Sequence, residues 1–414
     1  MRRLGIQKNH NLMFAVLEAC YWASNGALYA FTVTILSAYG YGSALCGLAT
    51  TGIAVASVGA QFALGYVTDT FIPSKRVLMV LMAVASGLSL LLPRAMQLPP
   101  ALAIACIVGI SFIDYSLYTT IDVWAVRSEQ NHPEIDFAVV RSGGSLGYAL
   151  VSLVMGALAA RFSVDLFFYA HSVMLAVSFF CCIPLQELPC RNKRRTGQQN
   201  AEKSMSLGEV CRELAHNGRY VRFIATIVLM QFSFRLTVTY LPILITNAGG
   251  DSGHLGIALF FESSMEAVVM ILASRLIQNG VPPSYVLIGG LCCGVIRMVT
   301  LFFDSNVWLL VGLHLFQALA VGAYLRVYTE YISRITPPNM TASATTIGTA
   351  FTMGVGGMMG NLLGGVIIEQ WGIHFYMGLS AGVMVLAALV FLPTVLTARK
   401  QVANLRRKAY ENAM

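Results

Sequence analysis

Along the chain, long apolar blocks alternate with short polar breaks. A helix needs about 20 apolar residues to cross the hydrocarbon of a bilayer. The blocks predict twelve such helices, at residues 11–38, 43–69, 76–96, 100–127, 137–160, 164–187, 219–246, 253–279, 284–303, 307–334, 341–369 and 373–397. A polar stretch at 187–222 divides them six and six, with a short helix expected at 206–216. The expected organisation is an N-terminal bundle at 1–188, a cytoplasmic linker at 189–218, a C-terminal bundle at 219–400 and a cytoplasmic tail at 401–414.

Composition narrows the class. Hydrophobic residues make up 57% of the chain and charged ones 11%, against about 25% charged in a soluble domain. So few charges cannot cover a water-facing surface, and the fold class is an all-α membrane protein. The net charge of +8 raises the possibility of nucleic acid, but the bases gather in alternate loops, as the positive-inside rule expects. With both termini cytoplasmic, 22 of the 27 Lys and Arg lie at cytoplasmic loops, tails or helix ends. The other five are Arg94, Arg161, Arg235, Arg297 and Arg326. This orientation leaves the sequon at Asn339-Met340-Thr341 in the cytosol. Arg2, Arg3 and Lys8 precede an apolar run without a cleavage site, which reads as the first span and not as a removed signal. None of the nine Cys shows metal-ligand spacing. No metal or cofactor is expected, and no hydrolase or kinase constellation is present.

The halves echo each other. Ser43-x-x-x-Gly47-x-Ala49 follows the first span and Ser252-x-x-x-Gly256-x-Ala258 the seventh, an offset of 209 residues that also relates Phe14 to Phe223. Duplicated halves are a transporter architecture, with the substrate at the repeat interface near the midplane. Gly143, Gly144 and Gly147 crowd the fifth span, and Gly354, Gly356, Gly357, Gly360, Gly364 and Gly365 the eleventh. Small residues let membrane helices touch, by tight packing or by sliding.

Polar groups inside the spans carry the candidate chemistry. A charge at the bilayer centre costs roughly 2.5–3.5 kcal/mol on insertion scales unless it faces a cavity or a partner. Asp122 and Arg141 flank the polar turn between spans four and five and read as lining a shared interior. Glu262 and Glu266 share a face of span eight, where repulsion between two acids favours one proton on the pair. His314 and Gln317 share a face of span ten. Glu18, Asp114 and Arg235 are further cavity candidates, whereas Arg326 and Glu330 read as a structural pair. His132 and His171 read as incidental. Of the aromatics that could stack on a ring-bearing solute, Tyr148 is favoured, with Tyr21, Trp22, Tyr29, Phe232 and Tyr240 more often packing residues; Trp124, two residues from Asp122, points elsewhere.

Gly65-x-x-x-Asp69 followed by Lys75-Arg76, between spans two and three, resembles the loop signature of the major facilitator superfamily. Met265-Glu266-Ala267, Val295-Ile296-Arg297 and Leu313-His314-Leu315-Phe316-Gln317 resemble, in order and surroundings, the branch that holds the lactose permease and the oligosaccharide and nucleoside proton symporters. The resemblance implies two pseudo-symmetric six-helix bundles, no enzymatic activity, and Gly65, Asp69 and Arg76 in a conformational charge network. It implies that Asp122, Arg141, Tyr148, Glu266, His314 and Gln317 bind solute. It also implies that Glu266, Glu262, Arg297 and His314 handle the proton. Three positions depart from the branch: Gln317 replaces a proton-carrying Glu, Asp122 a Glu, and Tyr148 a stacking indole. The expected activity is proton-coupled symport of a small hydroxylated solute, a sugar, glycoside or nucleoside, by a monomer in the plasma membrane, in a bacterium the inner membrane. The rivals are a uniporter, an organic-anion carrier or drug exporter, and a non-transporting receptor. The partners are the solute, protons and lipid, with no nucleic acid.

Overall fold

The computed structural model describes residues 2–131, 135–187, 207–304, 306–337 and 340–411; side chains at 2–10 and 398–411 are outside the description, as are those of Gly65 and Asp69. Every regular element among the described residues is helical. In chain order the first six spans are α1 (Arg2–Leu28) continued by a 3-10 turn (Tyr29–Phe31) and α2 (Thr32–Ala38), then α3 (Ser43–Thr70), α4 (Ser74–Ser89) continued by α5 (Leu92–Ala95), α6 (Pro100–Asn131), α7 (Phe137–Ala159) and α8 (Leu166–Cys182). An amphipathic helix, α9 (Leu207–His216), lies inside the polar stretch as expected. The later spans are α10 (Gly218–Val238) with α11 (Leu241–Asn247), α12 (Ser252–Gln278), α13 (Pro283–Phe303), and α14 (Val307–Gly312) with α15 (His314–Ile335). Last come α16 (Thr341–Thr349), a π-helix (Ala350–Met358) and α17 (Met359–Glu411).

Eight helical runs among the described residues meet a length and apolarity threshold for crossing a bilayer. The difference from twelve has local causes. α1 begins in charged sequence, α4 and α8 are short at 16 and 17 residues, and the run Ser343–Thr397 holds two spans. Those two separate at Gly372, where φ 82° and ψ 163° break the helix in a region open to glycine.

Spans one and seven are each interrupted. The offset of 209 residues carries Tyr29–Phe31 onto 238–240, the last residue of α10 and the two that separate it from α11. The duplication therefore extends from sequence to backbone irregularity.

By contacts, the chain forms two units: Met1–Glu202 with Leu241–Ser264, and Lys203–Tyr240 with Met265–Met414. Within the first, Phe14 meets Trp124 edge-on at 5.2 Å and Phe31 stacks on Phe167 at 4.4 Å. Lipid is as apolar as these side chains, so close fit and polar bonds hold the helices together more than water exclusion does. Gly143 and Gly147 of α7 face the backbone of Ala15 and Ala19 on α1; a Cβ on Gly143 would lie 2.5 Å from the Ala15 carbonyl oxygen, and one on Gly147 would overlap that of Ala19. Gly156 and Gly256 bring α7 against α12 in the same way, with a Gly156 Cβ placed 2.7 Å from Gly256 Cα.

Polar ends finish several helices. Lys75 Nζ donates to the carbonyls of Ile183 and Leu185 at 2.7 Å each, at the end of α8, and Arg76 pairs with Glu187 at 3.0 Å. These are the described residues of the loop signature. Asp251 starts α12, accepting from the backbone N–H of Gly253 and His254 at 3.0 and 3.2 Å and facing His254 Nδ1 at 2.7 Å. The His254 side chain and those N–H groups hold the Asp251 carboxyl below the usual carboxylate range. A lowered folded-state value means stability that is present above the unfolded value and lost as pH falls through the folded one. Asp251→Ala is expected to cost about 1 kcal/mol at neutral pH, and thermal melts should show that gap closing below about pH 4.

Candidate functional site

In the first unit, α1, α6 and α7 bring four polar or aromatic groups to one point. Glu18 is fully buried. It lies beside Asp122 and within Coulombic reach of Arg141. The Arg141 guanidinium carbon stands 4.6 Å from the centroid of the Trp22 ring, a cation–π contact. Trp22 in turn lies 5.7 Å from Tyr118. Gly144 makes the convergence possible: a Cβ there would lie 2.5 Å from Trp22 Cδ1, 2.9 Å from Arg141 Nη1 and 3.1 Å from Glu18 Oε2. Glu18 and Trp22 are four apart on α1 and so share a face. The cluster offers two carboxylates, one planar five-donor cation and an indole face, a set suited to a hydroxylated ring.

Tyr148 is half-buried, its ring edge against Gly26 of α1. The ring on Arg141 is thus Trp22, which sequence reasoning ranked below Tyr148. Trp124 is buried and donates to the Gln186 carbonyl at 3.2 Å, a packing role as expected.

The second unit holds a different cluster. Arg297, His314 and Gln317 are fully buried. Arg297 donates to the Thr237 hydroxyl, to Gln317 Oε1 at 2.6 Å and toward His314 Nε2 at 3.1 Å. His314 Nδ1 faces the Leu310 carbonyl at 2.9 Å, so that nitrogen carries the hydrogen and Nε2 offers its lone pair to Arg297. Gln317, where the branch has an acid, thus serves as a neutral acceptor for the cation. On α12, Glu266 belongs to this unit and Glu262 to the first, each half-buried and one turn apart. Arg235 lies along the glycine face at the end of the π-helix, its Cγ 2.6 Å from where a Gly360 Cβ would be and its Nη2 3.4 Å from that of Gly357. π-Helical turns recur at functional sites, and this one abuts an intramembrane cation. Arg326 and Glu330 form the expected structural group, with Glu330 also 2.8 Å from Arg334 and Arg326 on Ser274.

Asp114 and His171 are a pair that sequence reasoning did not join. His171 Nε2 lies 3.1 Å from Asp114 Oδ2, with both side chains 1% exposed. Tyr29 donates to the same oxygen at 2.5 Å. His171 is therefore no incidental residue. A single His between Phe167-Phe168-Tyr169-Ala170 and Ser172 gives no periodic signal, and its partner is 57 positions away.

A model of the MFS_1 like family matches residues 12–377. The chain belongs to that family. It is a major facilitator transporter of multi-pass, all-α architecture, and not an enzyme. It is similar to the maltose permease of Geobacillus stearothermophilus, 25% identical over 236 residues, a match spanning 57% of either protein. The uncharacterized transporter YwbF of Bacillus subtilis (strain 168) is 23% identical over 277 residues, 66% of each. The chain thus spans less than two thirds of the length of these relatives. The nucleoside transporter NupG superimposes with a TM-score of 0.79 at 16% identity, over 93% of this chain and 98% of that one. A D-xylose-proton symporter does so with 0.67 at 14% identity, over 94% and 97%. At such identities the likeness concerns the fold.

Proposed function

We propose that this transporter is a proton-coupled symporter of a small hydroxylated solute (a sugar, glycoside or nucleoside) working by alternating access as a monomer. The observation that carries the reading is the convergence of Glu18, Asp122, Arg141 and Trp22. Carboxylates and a guanidinium accept from and donate to hydroxyls, and the indole covers an apolar ring face. Two acids and one base leave this cluster one negative charge in excess, which a single proton neutralises. The names of the maltose permease, the nucleoside transporter and the D-xylose-proton symporter support the solute class. Tyr148 borders the same helices and contributes a second ring. In the second half, Glu266 is the solute-facing acid, with Glu262 its partner in proton handling, while His314 and Gln317 orient Arg297. Gly65, Asp69 and Arg76 serve the conformational change. The location is the plasma membrane, in a bacterium the inner membrane, with both termini cytoplasmic. Moving one charge through 100 mV supplies about 2.3 kcal/mol to such a carrier.

The test is a pH electrode in a lightly buffered suspension of de-energised cells making the protein. Adding a transported solute is expected to alkalinise the medium as protons enter with it. Solute entry with no pH change would establish uniport, the second reading, which Gln317 at the branch's acid position favours.

A further inference from the structure

We propose that Asp114 and His171, held by Tyr29, form a proton-holding site of the first unit, distinct from the cluster around Arg141. The proposal rests on the proton-coupled reading above and supplies the site at which coupling occurs.

The proton count follows from geometry. His171 Nδ1 lies 2.9 Å from the Ser24 carbonyl oxygen, which can only accept, so Nδ1 carries a hydrogen. Nε2 faces the Asp114 carboxyl at 3.1 Å. A proton between them makes an imidazolium beside a carboxylate, the paired form that burial demands. Asp114 Oδ1 and His171 Nε2 are both buried without a hydrogen-bond partner, and Nε2 stands 3.1 Å from Oδ2, the oxygen that already accepts from Tyr29.

The exchange step is simple. The Nε2–H bond breaks, the electron pair stays on nitrogen, and the proton passes to water. His171 becomes neutral with Nδ1–H still on Ser24, and the Asp114 carboxylate keeps Tyr29 as donor. One unit of charge in the first unit changes, as coupling requires. Tyr29 is placed to control this, since it opens the 3-10 turn that interrupts the first span. A 3-10 stretch inside a long helix often marks a hinge. The neighbouring titratable groups are Glu18 and Tyr21 on α1 and Tyr115 and Tyr118 on α6, with Tyr21 donating to the Asp114 backbone carbonyl at 2.9 Å. From α4, Ser86 meets Ser172 and brings no titratable group. The second unit offers a poorer site, since Gln317 cannot ionise and the His314 Nε2 lone pair is directed at a cation.

Proteoliposomes settle it, with radiolabelled uridine and maltose as probes. A gradient of about one pH unit supports up to about tenfold accumulation at one proton per solute. The wild type is expected to accumulate a probe under the gradient and to exchange it in counterflow without one. Asp114→Asn and His171→Gln are expected to keep counterflow within about threefold and lose accumulation, and Tyr29→Phe to shift its pH midpoint. Wild-type counterflow without gradient-driven accumulation removes the proton-coupled reading, and this site with it. Wild-type accumulation that survives in both variants overturns this site alone. Where the variants do not fold, or neither probe is carried, ring-nitrogen NMR of the wild-type protein decides. His171 Nε2 should exchange between protonated and bare across the pH range in which the protein stays folded, and a ring fixed in one state across that range overturns the proposal.

Discussion

Arg141→Gln should lower the initial rate of solute uptake at least about a hundredfold, equivalent to about 3 kcal/mol of lost binding or transition-state interaction. The substitution removes the base that balances Glu18 and Asp122, and it leaves the Trp22 face without its cation. Removing one partner from a buried charge group leaves the others uncompensated and commonly costs about 3–5 kcal/mol. Arg141→Lys separates charge from shape. An ammonium restores the charge but neither the planar fork nor the stacking, so partial recovery is expected, short of the wild-type rate. Uptake is to be read per molecule in the membrane, from quantified protein. Wild-type uptake in Arg141→Gln would remove Arg141 from the site.

Gly147→Val should prevent the protein from folding, or lower its melting temperature enough that little survives detergent extraction. The new Cβ would lie 2.1 Å from the Ala19 carbonyl oxygen, and backbone cannot step aside as a flexible side chain can. Overpacking costs about 1–3 kcal/mol in ordinary cores and more where backbone is the obstacle. Gly109 on α6, whose added Cβ would meet nothing within 4 Å, is the matched control. Gly109→Ala should express and melt like the wild type, gaining slightly from helix propensity. Size-exclusion profiles and thermal melts of the two variants make the comparison.

The sequence exposed the architecture because each span is a long apolar block, and lipid requires backbone bonds to close within the segment. It did not expose the interruption at Tyr29–Phe31, since YAF followed by TVTIL is as apolar as the helices beside it. Nor did it expose the change to π geometry at Ala350–Met358, though the glycines there hinted at close approach. At the site, Asp122 and Arg141 were visible because charge in an apolar run is conspicuous. Glu18 was visible for the same reason, but its company was not: its spacing to Trp22 places the two on one face without saying which helix they face. Trp22 ranked low since an indole in a membrane helix is most often packing. The Asp114–His171 pair needed the topology, because α6 and α8 meet only in the folded chain. In the sequence Gln317 is only a missing acid; the structure adds that its carbonyl oxygen holds Arg297.

The interruptions in spans one and seven bear on how motion in this protein is to be measured. Each leaves a seven-residue piece, Thr32–Ala38 or Leu241–Asn247, joined to its long helix through a non-α turn. A spin label or fluorophore on Ser37 or Thr246 reports on that short piece. One at Val16 or Val221 reports on the long one. Distances from the two placements can change by different amounts in a single transition, so a rigid-rod interpretation of either span would assign the displacement to the wrong part of the helix.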